Sequence, residues 1–471
     1  MDDFTGVVPT DILLQERRAA EGLDCHVPLI LRSGHVYDTD LDRFFLDLPL
    51  NGVRSAHSLR AYGYDILLWV RFLEEARGMN IWTATRTDVA AFHRARRRID
   101  AGSRISAASW NRSVAAMEKL YKWAETEGLI SVSPFTHRDV WRRANAGGRG
   151  RVVARNDASE RGAKRSDVRF VSLEDYRRFR DVGLRGLAPD GRERSGARDR
   201  NGLRNALFAE LLVITGLRLE EASSLLASEV CALRQASSPD HQIWFDLPAG
   251  LTKGDRGRAI LMPTRLLEQL RVYITVERAH AVDKFKTRAG WRAMERPIFI
   301  RCPAPGTRSL ALRDGGTVLL EAITPEERGR LIICHVDGEP IEPAALWVTE
   351  VGQPVRPNSW EVAFARASRR CAANGFTVNV SPHQLRHTFA VHMLAMLIQH
   401  QLRGASSMTS GGPAEGYRRL LGDPLQQVQR LLGHVSLATT SIYLDHIVTR
   451  ADTVDTAVEE LLALLPSANQ S

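Results

Sequence analysis

Cysteine is scarce and scattered: five residues (Cys25, Cys231, Cys302, Cys334, Cys371) lie far apart in 471, with no Cys-x-x-Cys pair. That argues against a disulfide framework and a thiolate zinc module, and it fits a reducing compartment. Long apolar runs are missing too. Stretches such as Leu211–Ile214 fall well short of the ~18 residues that a membrane helix needs. The opening Met1, Asp2 and Asp3 show no basic-then-apolar export pattern. No G-x-x-x-x-G-K-[ST] phosphate loop occurs, so ATP chemistry is not expected. What is present, 44% hydrophobic and 25% charged residues, is a globular composition, and the length calls for two or three domains. The chain reads as a soluble cytoplasmic protein without a membrane partner.

Charge is the first functional hint. The net formal charge is +9, but residues 1–50 hold four basic and ten acidic residues, which leaves the rest of the chain strongly basic. A basic body suits a polyanion, because neutralising phosphates releases condensed counterions. The acidic residues 1–50 form a segment of unknown role.

Residues 51–135 read as a helical unit. Leu59, Tyr62, Ile66, Trp69, Val70 and Leu73 recur at helical spacing, and so do Val114, Met117, Leu120, Tyr121 and Ala124, with Ser109 as a cap. The aromatic members of these stripes are read as core. A helix opening near Thr87 and Asp88 ends in a basic run that includes Arg94, Arg97 and Arg98. From Arg138 to Arg169 there are ten basic and four acidic residues with few apolar ones, so 136–170 is expected to be an extended basic linker. Residues 171–446 then alternate helices with short strands, notably Gln242–Leu247 and Ala259–Met262 around a glycine turn.

Three local patterns could carry chemistry. In Thr215-Gly216-Leu217-Arg218-Leu219-Glu220-Glu221, an arginine stands just past a glycine break at a helix start, where free N–H groups and a guanidinium fork suit an anion. In Ser381-Pro382-His383-Gln384-Leu385-Arg386-His387, the three-residue step puts His383 and Arg386 on one side of a helical turn. His387 is expected to point elsewhere. The His383/His387 spacing also suits a metal, but neither an intervening acid nor a third ligand is evident, so no metal site is expected. In the third, His434 follows Gly433, and Tyr443 sits nine residues later.

In combination and order, TGLRLEE, SPHQLRHTFA and LLGHVSLATTSIY resemble the motifs of the tyrosine recombinase (phage integrase) family. LTKGDRGRAILMP offers Lys253 where the family places a hairpin lysine. The resemblance implies a mainly α fold with a small antiparallel β-sheet (α+β), in which a helical core-binding domain and a catalytic domain at 171–446 clamp DNA. It implies a catalytic set of Arg218, Lys253, His383, Arg386, His434 and the nucleophile Tyr443, with Glu221 supporting Arg218. Two arginine forks would neutralise charge building on the phosphate. His383 would take the tyrosine proton, His434 would bond a phosphoryl oxygen, and Lys253 would protonate the leaving 5′-hydroxyl. The product would be a 3′-phosphotyrosyl link that needs neither cofactor nor metal nor ATP.

Double-stranded recombination sites are the implied partner, with a dimer per site, a synaptic tetramer and room for accessory recombinase subunits. A bacterial cytoplasm, at the nucleoid, is the expected location. DNA contacts are assigned to Arg94, Arg97, Arg98, Arg142, Arg143, Arg149 and Arg151. Two stretches, near 301–345 and 398–420, look inserted, the second because 47 residues separate Arg386 from His434. Residues 447–471 read as an amphipathic helix that docks on a neighbouring protomer. The biological role is integration, excision or transposition of a mobile element. A type IB topoisomerase, a non-catalytic accessory subunit and a metal-dependent nuclease remain as alternative readings.

Overall fold

The computed structural model describes residues 27–32, 36–53, 55–99, 104–142, 151–160, 168–193, 201–233, 242–252, 254, 256–304, 306–406 and 423–444. The chain divides into two units, Met1–Asp167 and Val168–Ser471.

Four helices build the first unit: α1 (Thr39–Asp47), α2 (Ala56–Arg71), α3 (Arg86–Arg94) and α4 (Ala107–Thr126). Each begins where a short polar side chain satisfies free N–H groups. Asp38 accepts from Asp40 and Leu41, and Ser55 accepts from Ser58. Asp88 reaches back to the Thr85 N–H at 2.9 Å. Ser106 caps α4, three residues before the expected Ser109. The predicted apolar stripes turn inward, and Leu59, Ile66, Trp69, Leu73, Met117, Leu120 and Tyr121 share one core. The polar tips inside that core are satisfied. Trp69 Nε1 donates to Tyr121 Oη at 2.8 Å, and that hydroxyl donates to the Ile81 carbonyl at 2.7 Å.

Two sequence boundaries are corrected here. The domain does not start at residue 51, because Val27, Ile30, Leu41, Phe44, Phe45 and Leu48 lie in the same core. The short strands β1 (Leu31–Arg32) and β2 (Val36–Tyr37) precede α1. Nor is 136–170 an extended linker throughout. Strands β3 (His137–Arg142) and β4 (Arg151–Asn156) pair antiparallel, Arg138 opposite Arg155 and Trp141 opposite Val152. The chain after β4 then packs on α4: Trp110 Nε1 donates to the Ala158 carbonyl at 2.8 Å, and Asn111 accepts from the Glu160 N–H at 2.9 Å. A backbone ladder needs no buried core of its own, which is why low apolar content misled; Trp141 and Val152 stay exposed.

The second unit is built around α6 (Gly202–Thr215), most of whose residues are buried, with α5 (Leu173–Arg178) before it and α7 (Leu219–Ser223) and α8 (Ala227–Ala232) after. Strands β5 (Gln242–Leu247) and β6 (Arg258–Pro263) form an antiparallel hairpin that runs into α9 (Thr264–Tyr273) and α10 (Ala279–Thr287). After the β-rich segment come α12 (Pro357–Ala373), α13 (Pro382–Ser406), α14 (Pro424–Leu432) and the short α15 (Leu437–Ser441). Phe208 of α6 stacks on Trp360 of α12, with ring centroids 3.6 Å apart, and Trp347 closes edge-on against both.

The stretch near 301–345 carries its own small core of Leu226, Ile300, Leu310, Ile323, Leu331, Ile333 and Ala344. It holds β7 (Ile298–Arg301), β8 (Ser309–Ala311), β9 (Thr317–Leu319), α11 (Pro325–Arg328), β10 (Leu331–Cys334) and β11 (Pro340–Pro343). The chain is mostly helical with small antiparallel sheets, as expected; the sheets are several, and β10 also pairs with β7 in parallel. Two buried arginines pin this segment to the helices: Arg328 to Glu229 at 2.8 Å, and Arg278 to the Pro343 carbonyl at 2.6 Å. Of the expected insertion at 398–420, helix α13 takes residues up to Ser406, and 407–422 fall outside the described residues. The expected helix at 447–471 also lies outside them. Among the described residues, no helix is long and apolar enough to cross a membrane.

Candidate active site

All of the site's described side chains come from the second unit. Gly216 ends α6 with φ +66°, a left-handed conformation that glycine adopts freely. A side chain there would meet the Phe389 ring at 2.3 Å. That break turns the chain so that Arg218 begins α7. Glu221, one turn on, is buried, takes the Arg218 N–H on Oε2 at 2.7 Å and pairs with the Arg218 guanidinium on Oε1 at 2.7 Å. Glu221 thus holds Arg218 by both its backbone and its side chain.

Glu221 has a second partner that sequence reasoning missed. Arg258, the first residue of β6, meets it with both terminal guanidinium nitrogens, at 2.7 Å and 2.6 Å. Burial pushes the Glu221 carboxyl up, but the Arg258 hydrogen bonds and charge, with Arg218 behind them, outweigh it and hold the group at about 2. Arg258 Nε also donates to the Leu431 carbonyl at 3.2 Å, while Arg386 Nη2 donates to the next carbonyl, Leu432, at 2.6 Å. Two cations therefore occupy the carbonyl end of α14, where the helix dipole favours them. Arg386 Nη1 bonds the Gly216 carbonyl at 2.5 Å, so this guanidinium ties both glycine-ended helices, α6 and α14, together.

Arg386 is buried, and desolvation first, then the Arg218 charge, lowers its guanidinium to about 9. Three arginines thus converge with Glu221 as the carboxylate bonded to two of them. Such a site carries uncompensated positive charge and favours an anion.

Past Gly433 the chain carries the remaining residues. The His434 backbone is held by Gln429 on both sides, and His434 Nδ1 lies 3.0 Å from Thr440 Oγ1. Burial, then Arg386 and Arg218, pushes His434 down to about 3, so its ring is neutral near pH 7. Tyr443 is almost fully enclosed between α13 and α14, beside Phe389, Leu394, Val428 and Leu432. Burial raises its phenol above the ordinary value, and Arg386 and Arg218 pull in the other direction.

The expectation for His387 is corrected. His387 does not point elsewhere: its Nδ1 lies 2.9 Å from Tyr443 Oη. His383, expected to serve the tyrosine, packs its ring edge against His387, with centroids 4.3 Å apart at 72°. Partial burial, then Arg386 and Arg218, lowers His383. Stepping 100° per residue around one helix places His387 away from Arg386, but Tyr443 arrives from another element and meets that flank. No local signal marks this.

Lys253 lies outside the described residues; its neighbour Thr252 bonds the Arg256 carbonyl at 2.6 Å, closing the β5–β6 loop. Arg143 and Arg149 also lie outside, and Arg142 and Arg151 are placed only by the pairing of β3 with β4. Arg94 and Arg98 are exposed. The Arg97 guanidinium pairs with Glu160 at 3.0 and 2.6 Å and with the Ile105 carbonyl. Among the described residues, no group of three or more His, Cys, Asp or Glu side chains could hold a metal.

An enclosed tyrosine thus lies with histidines and within reach of the Arg386 and Arg218 charges in the second unit. Two family models match the chain: the phage integrase N-terminal SAM-like domain over residues 41–128 and the phage integrase family over 194–402. Together they span well over half of it. Relatives include tyrosine recombinase XerD of Mycobacterium tuberculosis, 26% identical over 83% of this chain and 87% of that protein. Tyrosine recombinase XerC of Shewanella amazonensis is 35% identical over 22% of this chain and 26% of that protein. A solved XerH site-specific recombinase, bound to a palindromic difH substrate in a post-cleavage complex, has 15% identity and a TM-score of 0.47 over 95% of this chain and 94% of that one. The chain belongs to the phage integrase family, the tyrosine recombinases. The catalytic model stops at residue 402, before His434 and Tyr443, so their place in the site rests on the geometry above.

Proposed function

We propose that this protein is a site-specific DNA recombinase that cuts and rejoins strands through a 3′-phosphotyrosine, integrating, excising or transposing a mobile element. The observation that carries this reading is the enclosed Tyr443 hydroxyl, bonded to His387 and within reach of the charges of Arg386 and Arg218, which Glu221 and the two helix ends hold in place. Tyr443 is the nucleophile. Arg218 and Arg386 stabilise charge on the non-bridging phosphate oxygens, a stabilisation that fixed cations supply without reorganising. His434, neutral and fixed through Thr440, offers a hydrogen bond to the same phosphate. Lys253 protonates the leaving 5′-oxygen. The bond energy stays in the phosphotyrosyl link, so rejoining needs neither ATP nor metal. Arg94, Arg98, Arg142, Arg143, Arg149 and Arg151 contact the duplex backbone, and the protein acts as a dimer on each site and a tetramer at synapsis.

The test is strand exchange between two differently labelled duplexes tiled across the flanks of its own gene, in chelator. Recombinant strands from wild type and none from Tyr443→Phe support the reading. Supercoil relaxation without recombinants points instead to a type IB topoisomerase.

A further inference from the structure

We propose that His387 takes the phenolic proton of Tyr443 during strand cleavage, with His383 holding the His387 ring in place. The proposal rests on the strand-transfer reading above and assigns a proton acceptor within it. Tyr443 Oη meets one imidazole nitrogen, His387 Nδ1, at 2.9 Å, the distance at which a proton is handed over. Both histidines stand on α13 four residues apart, and the edge-on contact of their rings restricts how His387 can turn.

The other groups facing Tyr443 are poorer acceptors. Arg386 and Arg218 are cations. His434 stacks near-parallel to Tyr443 at 6.3 Å, with Nδ1 engaged by Thr440, and its environment disfavours protonation. His383 touches His387 rather than the phenol. Burial keeps the phenol protonated, so attack requires a base at hand.

The step balances as follows. The Tyr443 O–H bond breaks and its proton goes to His387 Nδ1, whose ring carried its own proton on Nε2. The phenolic oxygen's electron pair forms the O–P bond. The P–O5′ bond breaks, and the departing oxygen takes a proton from the general acid. Religation returns the His387 proton to the tyrosine.

The experiment is single-turnover adduct formation by wild type, His387→Ala, His387→Gln and Tyr443→Phe, on duplexes carrying an ordinary or a 5′-bridging phosphorothiolate scissile link. Both His387 variants should bind DNA like wild type and lose about 10²–10³-fold in rate near pH 7. In His387→Ala the loss should shrink as pH rises toward the phenol's own titration or as imidazole is added. The phosphorothiolate bypasses the general acid and should not restore either variant. Rates within threefold of wild type, or a loss equal at every pH and unmoved by imidazole, overturn the proposal. Gln keeps the ring's bulk and polarity, so a folding defect confined to His387→Ala leaves the Gln rates to decide. An adduct that persists in Tyr443→Phe removes the nucleophile assignment itself.

Discussion

Arg258 grips Glu221 with both ends of its guanidinium, and the same side chain caps the Leu431 carbonyl. One residue of the β5–β6 hairpin is therefore joined to the anchor of Arg218 and to the helix that leads into His434 and Tyr443. Its side chain is 7% exposed, so the pair operates in a low-dielectric setting where geometry is strongly enforced.

Removing one partner of this pair leaves a buried charge poorly matched. Arg258→Met should destabilise the second unit by about 3–5 kcal/mol and abolish adduct formation, as read by denaturant midpoints and adduct yield. Converting both partners, Arg258→Met with Glu221→Met, should recover much of the stability but none of the activity. Full stability with full activity in Arg258→Met would show that the pair anchors nothing.

Acid should act most strongly through two carboxylates. Glu221 is held at about 2 and Glu160 at about 2, against 4.5 unperturbed. Both bind fewer protons folded than unfolded in this range. The stability they confer is complete above the unfolded value and is lost as pH falls from about 4.5 towards 2. Melting temperatures recorded across that window should fall steeply in wild type, and less steeply in a Glu221→Gln, Glu160→Gln double variant that starts from a lower value.

Gly433→Ala tests the latch from the other side. Gly433 has φ +64°, and an added Cβ would lie 2.7 Å from Arg258 Cδ. The substitution should displace Arg258, lower stability by about 1–3 kcal/mol and cut the cleavage rate, while leaving DNA affinity within a few-fold.

Arginines in the first unit should separate into two kinds. Arg97→Ala should lower the stability of that unit and barely change how DNA affinity varies with salt, because its fork is taken by Glu160. Arg94→Ala and Arg98→Ala should each reduce the slope of log affinity against log salt by about 0.9, if each neutralises one phosphate. Binding isotherms at several salt concentrations distinguish the two.

The legible parts of this molecule are those with local causes. Alternating Ile243, Phe245 and Leu247 place β5, and the helical spacing from Leu59 to Leu73 places α2. The order of Arg218, His383, Arg386, His434 and Tyr443 carried the family. Arg258 was not legible, because its partner lies 37 residues away and nothing local pairs them. Helix geometry alone turns His387 away from Arg386, whereas its partner approaches from 56 residues downstream. The β3–β4 ribbon was hidden by composition, since like-charged residues such as Arg138 and Arg155 rarely advertise a strand pair.

The most direct test of the account is the identity of the residue bonded to DNA. Wild type should form denaturation-resistant adducts on nicked duplexes in chelator, with the modified peptide carrying Tyr443 and the DNA attached through its 3′-phosphate. Mass spectrometry that finds the link on another residue, or undiminished adducts from Tyr443→Phe, contradicts it.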